Sequence, residues 1–127
     1  MKINELRVGN WFYRYCCNDQ VKEVRAGGVL GLDNLRGIIS LHEMQPIPLT
    51  KEFFEKNGFI NASFYCKVFY FKNIKGMIVK AYEHSDGWEI HMEHEESINS
   101  FSKWLQYVHE FQNAYYVSTG AEMDVKL

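Results

Sequence analysis

A regular helical pattern near the end of the chain is the feature that most constrains its fold. From position 104 to position 120, apolar residues recur three or four positions apart and a glycine closes the run. The resulting stripe consists of Trp104, Val108, Phe111 and Tyr115. A helix with one apolar stripe buries that stripe against another element. The pattern therefore predicts a long C-terminal helix packed on a sheet, starting near Asn99 or Ser100 and ending at Gly120.

The same helix carries polar side chains that packing does not require. Glu110 and Asn113 fall on the side away from the stripe, where we expect them to face solvent. His109 and Gln112 fall on its flank. If the helix has a role beyond holding the fold, the predicted protein-binding residues are His109, Glu110, Gln112 and Asn113.

The residues before this helix predict an α+β fold. The first 49 residues read as four or five short strands separated by turns such as Asn18-Asp19 and Ala26-Gly27-Gly28, which indicates a small SH3-like β unit. Thr50 is a good N-cap for a short helix from Lys51 to Asn57, and Gly58 would end that helix.

A three-stranded antiparallel meander follows the short helix, with strands predicted at 63–72, 77–83 and 87–95. Asp86-Gly87 is a strong hairpin signal between the last two strands. Alternation then places one apolar set on the buried face: Met77, Val79, Ala81, Trp88, Ile90 and Met92. It places a charged set on the opposite face: Lys80, Glu89, His91 and Glu93. We predict one domain, 1–127, that could divide into subdomains 1–49 and 50–120.

Composition narrows the class of protein. The chain has 127 residues, a formal net charge of -2 and a pI of about 6.2, which argues against a non-specific nucleic-acid binder. Its three cysteines, Cys16, Cys17 and Cys66, lack zinc or redox spacing. With no signal peptide and no apolar run long enough for a membrane helix, we expect a cytoplasmic protein with no membrane partner and no cofactor.

Several motifs occur in a fixed order along nearly the whole chain. They are Leu6-Arg7-Val8-Gly9-Asn10-Trp11, Pro46-Ile47-Pro48-Leu49-Thr50, Asn57-Gly58-Phe59, Tyr107-Val108-His109-Glu110-Phe111-Gln112-Asn113 and Thr119-Gly120. Together they resemble a family of small uncharacterised proteins from Bacteroides-type bacteria and their phages and mobile elements. The chain departs from that family at Phe111 and Ala114, where leucines are usual. The resemblance implies a mobile-element origin and a bacterial cytoplasm, and it implies no reaction.

Two other regions carry candidate chemistry. Histidines and carboxylates concentrate in Glu83–Glu96, and the weak metal-ligand candidates there are Glu89, His91 and Glu93. A basic region with interleaved aromatics contains Lys67, Lys72, Lys75 and Lys80 and could contact nucleic acid. Cys66 shares strand parity with Val68, so it is predicted to lie in the core.

The pattern as a whole favours a non-enzymatic accessory protein of phage or mobile-element type that binds a protein partner. A nucleic-acid-binding module using the Lys67–Lys80 region is the first alternative. A metal-dependent enzyme centred on Glu83–Glu96 is the second. Edge strands and the aromatic content of 16% also allow a homodimer.

Overall fold

Two compact units make up the protein in the computed structural model. The structure describes residues 2–15, 17–32, 37–94 and 104–127, together with the backbone of residues 97–100. Unit 1 comprises Met1–Pro48 and Tyr107–Met123, and unit 2 comprises Leu49–Gln106 and Asp124–Leu127. The C-terminal helix therefore belongs with the N-terminal strands, whereas the sequence pattern grouped it with the meander.

In the described residues of unit 1, the strands form two small antiparallel sheets. β1 (Trp11–Arg14) pairs with β2 (Cys17–Gln20), and a three-stranded sheet contains β3 (Glu23–Arg25), β4 (Gly28–Leu30) and β5 (Ile39–Ser40). These sheets cover one apolar cluster formed by Leu6, Phe12, Val21, Val29, Ile39 and Met44. The predicted β-rich unit is thus present as two sheets.

The predicted turn at Asn18-Asp19 was wrong. Both residues lie within β2, opposite Tyr13 and Phe12. The Asp19 carboxylate accepts the backbone N–H groups of Gln20 and Leu32 at 2.8 and 2.9 Å. A side chain with turn chemistry therefore supports a strand here, because one of its two hydrogen bonds comes from a residue 13 positions away.

The C-terminal helix, α2 (Val108–Thr119), is shorter than the pattern predicted. Residues 97–100 form a strand, so the predicted start near Asn99 or Ser100 was wrong. Leu105 forms a β-bridge with Trp88, and Trp104 is 38% exposed, so Trp104 is not part of the buried stripe. The rest of the stripe is confirmed as buried, and Gly120 ends the helix in the left-handed region with φ of +71°.

Unit 2 begins with the predicted short helix, α1 (Lys51–Lys56). The Thr50 side chain accepts the Phe53 N–H at 3.1 Å, which confirms the predicted N-cap. Phe54 is fully buried, and its ring lies 4.6 Å from the Trp88 ring and 5.1 Å from that of Phe59, centroid to centroid. This aromatic cluster is the core of unit 2, since rings of this size bury large areas.

The meander is confirmed and extends to five antiparallel strands in the order β10-β9-β8-β7-β6. The three long strands are β7 (Phe69–Ile74), β8 (Met77–His84) and β9 (Gly87–His94). β6 (Ile60–Asn61) and β10 (Ser97–Ser100) are its edges. The apolar set predicted for the inner face of β8 and β9 is buried, so both register and parity follow the sequence pattern.

Candidate functional site

The outer face of the unit 2 sheet carries polar and aromatic side chains in cross-strand rows. Phe69, Tyr82 and Glu89 form one row across β7, β8 and β9, and Phe71, Lys80 and His91 form the next. All six side chains are half-buried. This outer face, defined by those six residues together with Glu93, confirms the predicted charged surface and adds aromatic rings to it.

Glu89 connects two imidazoles on this face. One carboxylate oxygen lies 2.8 Å from His84 Nε2, and the other lies 2.5 Å from His91 Nε2. These hydrogen bonds, that of His91 first and that of His84 second, hold the pKa of Glu89 below its usual value. The carboxylate is therefore ionised at neutral pH and fixed in position by both rings.

Aromatic contacts surround this His84–Glu89–His91 array. The Tyr82 ring stacks on Phe69 with centroids 4.6 Å apart and meets the edge of the His91 ring at 5.7 Å. On the other side, the His84 ring stacks on Trp104 at 4.0 Å with an angle of 9° between the planes. Contacts of this kind fix ring orientation, so each imidazole is held by an aromatic ring as well as at Nε2.

A cleft of about 510 Å³ opens beside this array. Its lining consists of Cys66, Lys67, Val68, Tyr82, Glu83, His84, Glu89, His91 and Glu93. That volume falls within the range of roughly 300–1,000 Å³ that is usual for binding pockets. We call it the outer-face cleft.

Cys66 was predicted to be a core residue, and that prediction was wrong. The segment before β7 is not a continuation of the strand, because Phe64 and Lys67 exchange backbone hydrogen bonds of 3.2 and 3.0 Å across a tight turn. Tyr65 occupies this turn with φ of +52° and is fully exposed. The turn brings an exposed Cys66 thiol to the cleft, and strand parity does not apply to it.

The weak metal-ligand candidates are paired with other side chains. Glu89 is hydrogen-bonded to both histidines, and Glu93 lies 3.0 Å from Lys80 Nζ. No three His, Cys, Asp or Glu side chains within 2–15, 17–32, 37–94 and 104–127 are arranged to hold a metal ion. Glu95 and Glu96, at the end of the predicted acidic segment, lie outside the described residues.

The four lysines of the predicted basic region do not form one surface. Lys80 is on the outer face and Lys67 lines the cleft, whereas Lys72 has the parity of the inner face and donates to the Asn57 carbonyl at 2.7 Å. Lys75 lies in the β7–β8 turn with φ of +52°. Most aromatics of this region, however, are exposed or half-buried, and only Tyr70 among Phe64, Tyr65, Phe69, Tyr70 and Phe71 is buried.

The polar side chains of α2 form hydrogen bonds within unit 1. Gln112 is buried, accepts the Trp11 N–H at 2.9 Å and donates to the Gly9 carbonyl at 2.9 Å. Asn113, expected to face solvent, is half-buried and accepts from Asn10 at 2.8 Å and from Arg7 Nε at 3.0 Å. Glu110 accepts the Tyr107 N–H in a capping box and is half-buried as well. Gln112 and Asn113 thus join the helix to residues 5–11, and Glu110 caps the helix itself.

His109 has a different environment from its neighbours on the helix. It is 1% exposed, its ring stacks on Tyr107 at 5.9 Å, and its Nε2 lies 3.6 Å from the Glu5 carboxylate. Neither ring nitrogen has a hydrogen-bond partner among the described residues. Burial lowers the pKa of His109, although the nearby Glu110 and Glu5 carboxylates oppose that shift. Burial therefore favours the neutral form of this imidazole.

Comparison with known proteins finds no family model, curated protein or solved structure that matches this chain. Membership of the family that the motifs resemble therefore stays a prediction. In the described part of the chain, no helix is long and apolar enough to cross a membrane.

The sequence pattern identified part of the cleft and missed the rest. Alternation alone places Glu89, His91 and Glu93, which line the cleft, on one face with Lys80, which does not line it. His84 was not connected to Glu89, although the Asp86-Gly87 hairpin sets a register in which the two residues lie diagonally across it. That register is the sequence signal from which the contact between His84 and Glu89 could have been predicted. The sequence contains no such signal for Trp104 or Cys66. Long-range pairing determines the position of Trp104, and a tight turn determines that of Cys66.

Proposed function

We propose that the protein is a non-enzymatic binding module and that its outer face binds a segment of a partner protein carrying an arginine side chain. The observation that carries the proposal is the half-buried aromatic row beside an ionised, doubly hydrogen-bonded carboxylate. Phe69 and Tyr82 supply the rings and Glu89 supplies the charge. A guanidinium group can stack on such rings while donating to a carboxylate.

The surroundings of this site are typical of protein interfaces. Phe64 and Tyr65, 56% and 101% exposed, add two rings at the turn beside the cleft. Charged groups, among them the Lys80–Glu93 ion pair, lie beside the aromatic row. Aromatic residues enriched at the centre and polar residues at the rim are the usual anatomy of an interface. Two charges already paired at the rim add little affinity and help to exclude wrong partners.

A pair of peptides tests this proposal directly. One fluorescent peptide contains arginines, and the other has each arginine replaced by glutamine. We expect the arginine peptide to bind at least about tenfold more tightly in anisotropy titrations. Tyr82→Ala and Glu89→Gln should each weaken that binding by about tenfold, since one removes a ring and the other a charge.

Glu52→Gln provides the matched control, because Glu52 is an exposed carboxylate of unit 2 on α1. It should bind like the wild type. Equal binding of the two peptides, or an equal loss of affinity in Glu52→Gln, would contradict an arginine site on the outer face. A self-association seen by sedimentation, with no peptide binding, would instead make a second copy of the chain the partner.

Single-stranded nucleic acid is the second candidate ligand, favoured by the half-buried rings of the outer face and the exposed rings of the adjoining turn, which lie near Lys67 and Lys80. Bases stack on such rings without sequence preference. The test is oligonucleotide binding as a function of salt, because phosphate contacts weaken steeply as salt rises. If the double variant Lys67→Glu with Lys80→Glu binds an oligonucleotide as the wild type does, this candidate fails.

The proposal also includes a fold type for unit 1 and an origin for the protein. An SH3-like description of unit 1 is supported by its five short strands, and a phage or mobile-element origin by the motif order. A metal-dependent enzyme has less support than a binding module, because Glu89 and Glu93 are paired with His and Lys side chains.

A further inference from the structure

A second, smaller cleft lies in unit 2 where α1 ends, apart from the residues of the outer-face cleft. Its volume is about 230 Å³, and its lining consists of Lys56, Asn57, Gly58, Lys72, Asp124 and Lys126. Three lysines and one aspartate thus line a small polar space. We propose that this cleft binds the phosphoryl group of a small phosphorylated molecule.

The first argument is that the backbone around this cleft is fixed. Asn57 is buried, and its side-chain amide donates to the carbonyls of Phe53 and Lys126 at 2.8 Å each. Its Oδ1 accepts the Lys126 N–H at 2.6 Å. One side chain therefore ties the end of α1 to residue 126 in both directions, which brings Lys126 and Lys56 to the same cleft.

The second argument concerns Lys72. Its Nζ donates to the Asn57 carbonyl at 2.7 Å, which fixes the ammonium group and leaves two of its three N–H donors for other acceptors. Gly58 is beside it with φ of +81°, and a Cβ at this position would lie 3.4 Å from Lys72 Nζ. Glycine therefore meets a backbone requirement and also keeps the space next to the ammonium group open.

The third argument is charge. Within the part of the chain that the structure describes, no ion pair involves Lys56, Lys72, Lys126 or Asp124. With the one aspartate, Asp124, counted against the three lysines, the lining carries a net charge of +2, which a bound dianion would balance. Lysine binds phosphate as a point charge, so three ammonium groups suit a phosphoryl oxyanion better than a planar carboxylate, which arginine recognises in bidentate fashion.

The experiment uses the full chain and inorganic phosphate as the probe. Backbone amide NMR shifts of Gly58 and Lys126 should change saturably with phosphate at constant ionic strength. The double variant Lys56→Gln with Lys126→Gln should raise the dissociation constant at least about tenfold, and Lys126→Arg should bind nearly as the wild type does. Lys75→Gln, which removes a lysine in the β7–β8 turn outside the cleft, should leave phosphate binding unchanged.

Three results would overturn the proposal. One is the absence of a saturable shift at Gly58 and Lys126. Another is a loss of phosphate affinity in Lys75→Gln equal to that in the double variant, which would show a general charge effect. The third is an oligonucleotide that binds far more tightly than phosphate and shifts Lys67 and Lys80 as well, since nucleic acid would then be the ligand. None of these depends on arginine-peptide binding, so this proposal and the outer-face function fail separately.

Discussion

Asn10 Nδ2 donates to Asn113 Oδ1 at 2.8 Å, across 103 positions of chain. Asn10 is fully buried and Asn113 is half-buried. The same Asn113 oxygen accepts from Arg7, and the adjacent Gln112 binds the backbone of Gly9 and Trp11. The motif at residues 6–11 and the motif at residues 107–113 thus contribute to one hydrogen-bond network. Their residue types are explained by the fold of unit 1 without reference to a partner.

Removing the Gln112 amide should destabilise the protein. Gln112→Ala leaves the Trp11 N–H without its acceptor, and a buried group without a partner costs about 1–3 kcal/mol. The free energy of unfolding from urea titration should fall by about that amount. Val117→Ala, on the exposed side of the same helix, is the control and should change it by less than about 0.5 kcal/mol. Equal losses in the two variants would contradict a structural role for the Gln112 amide.

The buried His109 should make stability depend on pH. Its folded-state pKa is lowered from 6.5, so the unfolded chain binds the proton more readily. The stabilisation of the neutral form is therefore complete above about pH 6.5 and is lost as pH falls from there towards the lower folded pKa. Unfolding free energies measured across this range should fall with acidity in the wild type.

Replacing His109 tests that dependence. His109→Phe and His109→Leu should both reduce the slope, and the smaller Leu covers the case in which the Phe ring overpacks the site. Glu5 and Glu110 remain in both variants, so the difference in slope between the wild type and each variant is due to the imidazole itself. His42→Gln, which changes an exposed histidine, should keep the wild-type slope. A slope unchanged in both His109 variants would show that other groups control the acid sensitivity.

Glu89 should also contribute stability that acid removes, but at a lower pH than His109. Its pKa is lowered by hydrogen bonds from His91 and then His84, so its stabilisation is present above about pH 4.5 and is lost as pH falls through the folded value. Glu89→Gln should therefore lower the urea midpoint at pH 7, and the difference from wild type should shrink in acid. A midpoint difference that stays constant with pH would argue against the ionised carboxylate as the cause.

Cys66 gives a chemical probe of the outer-face cleft. Its thiol is exposed and lines the cleft, so iodoacetamide should modify it in the folded protein. A bulky maleimide at this position should block the arginine peptide. Cys17 is also exposed but does not line the outer-face cleft, so a Cys66→Ser variant labelled at Cys17 should keep full peptide binding. Unimpaired binding after complete labelling of Cys66 would place the peptide elsewhere.

Local periodicity accounts for what could be predicted from the sequence. The alternation of Val79 with Lys80 and of Ile90 with His91 depends only on neighbouring positions, and a strong Asp86-Gly87 turn sets the register. The helix stripe at Val108, Phe111 and Tyr115 is local in the same sense.

The predictions were wrong where contacts with residues distant in the sequence determine the local structure. Trp104 fits a helical stripe, but Leu105 next to it pairs with Trp88, and the strand pairing overrides the helical pattern. Asn113 lies on the polar side of a helical wheel, yet residues 5–10 pack over that side. Periodicity describes how a face is composed and not which segment covers it, so the polar network could not be derived from the helix alone.

Unit 1 also has a consequence for the order of folding during synthesis. Gly9 and Asn10 leave the ribosome 103 residues before Gln112 and Asn113, which complete their hydrogen bonds. Most of unit 2, residues 49–106, is contiguous and is translated in between. The hydrogen bonds that join Gly9 and Asn10 to α2 can therefore form only after residues 49–106 have been synthesised.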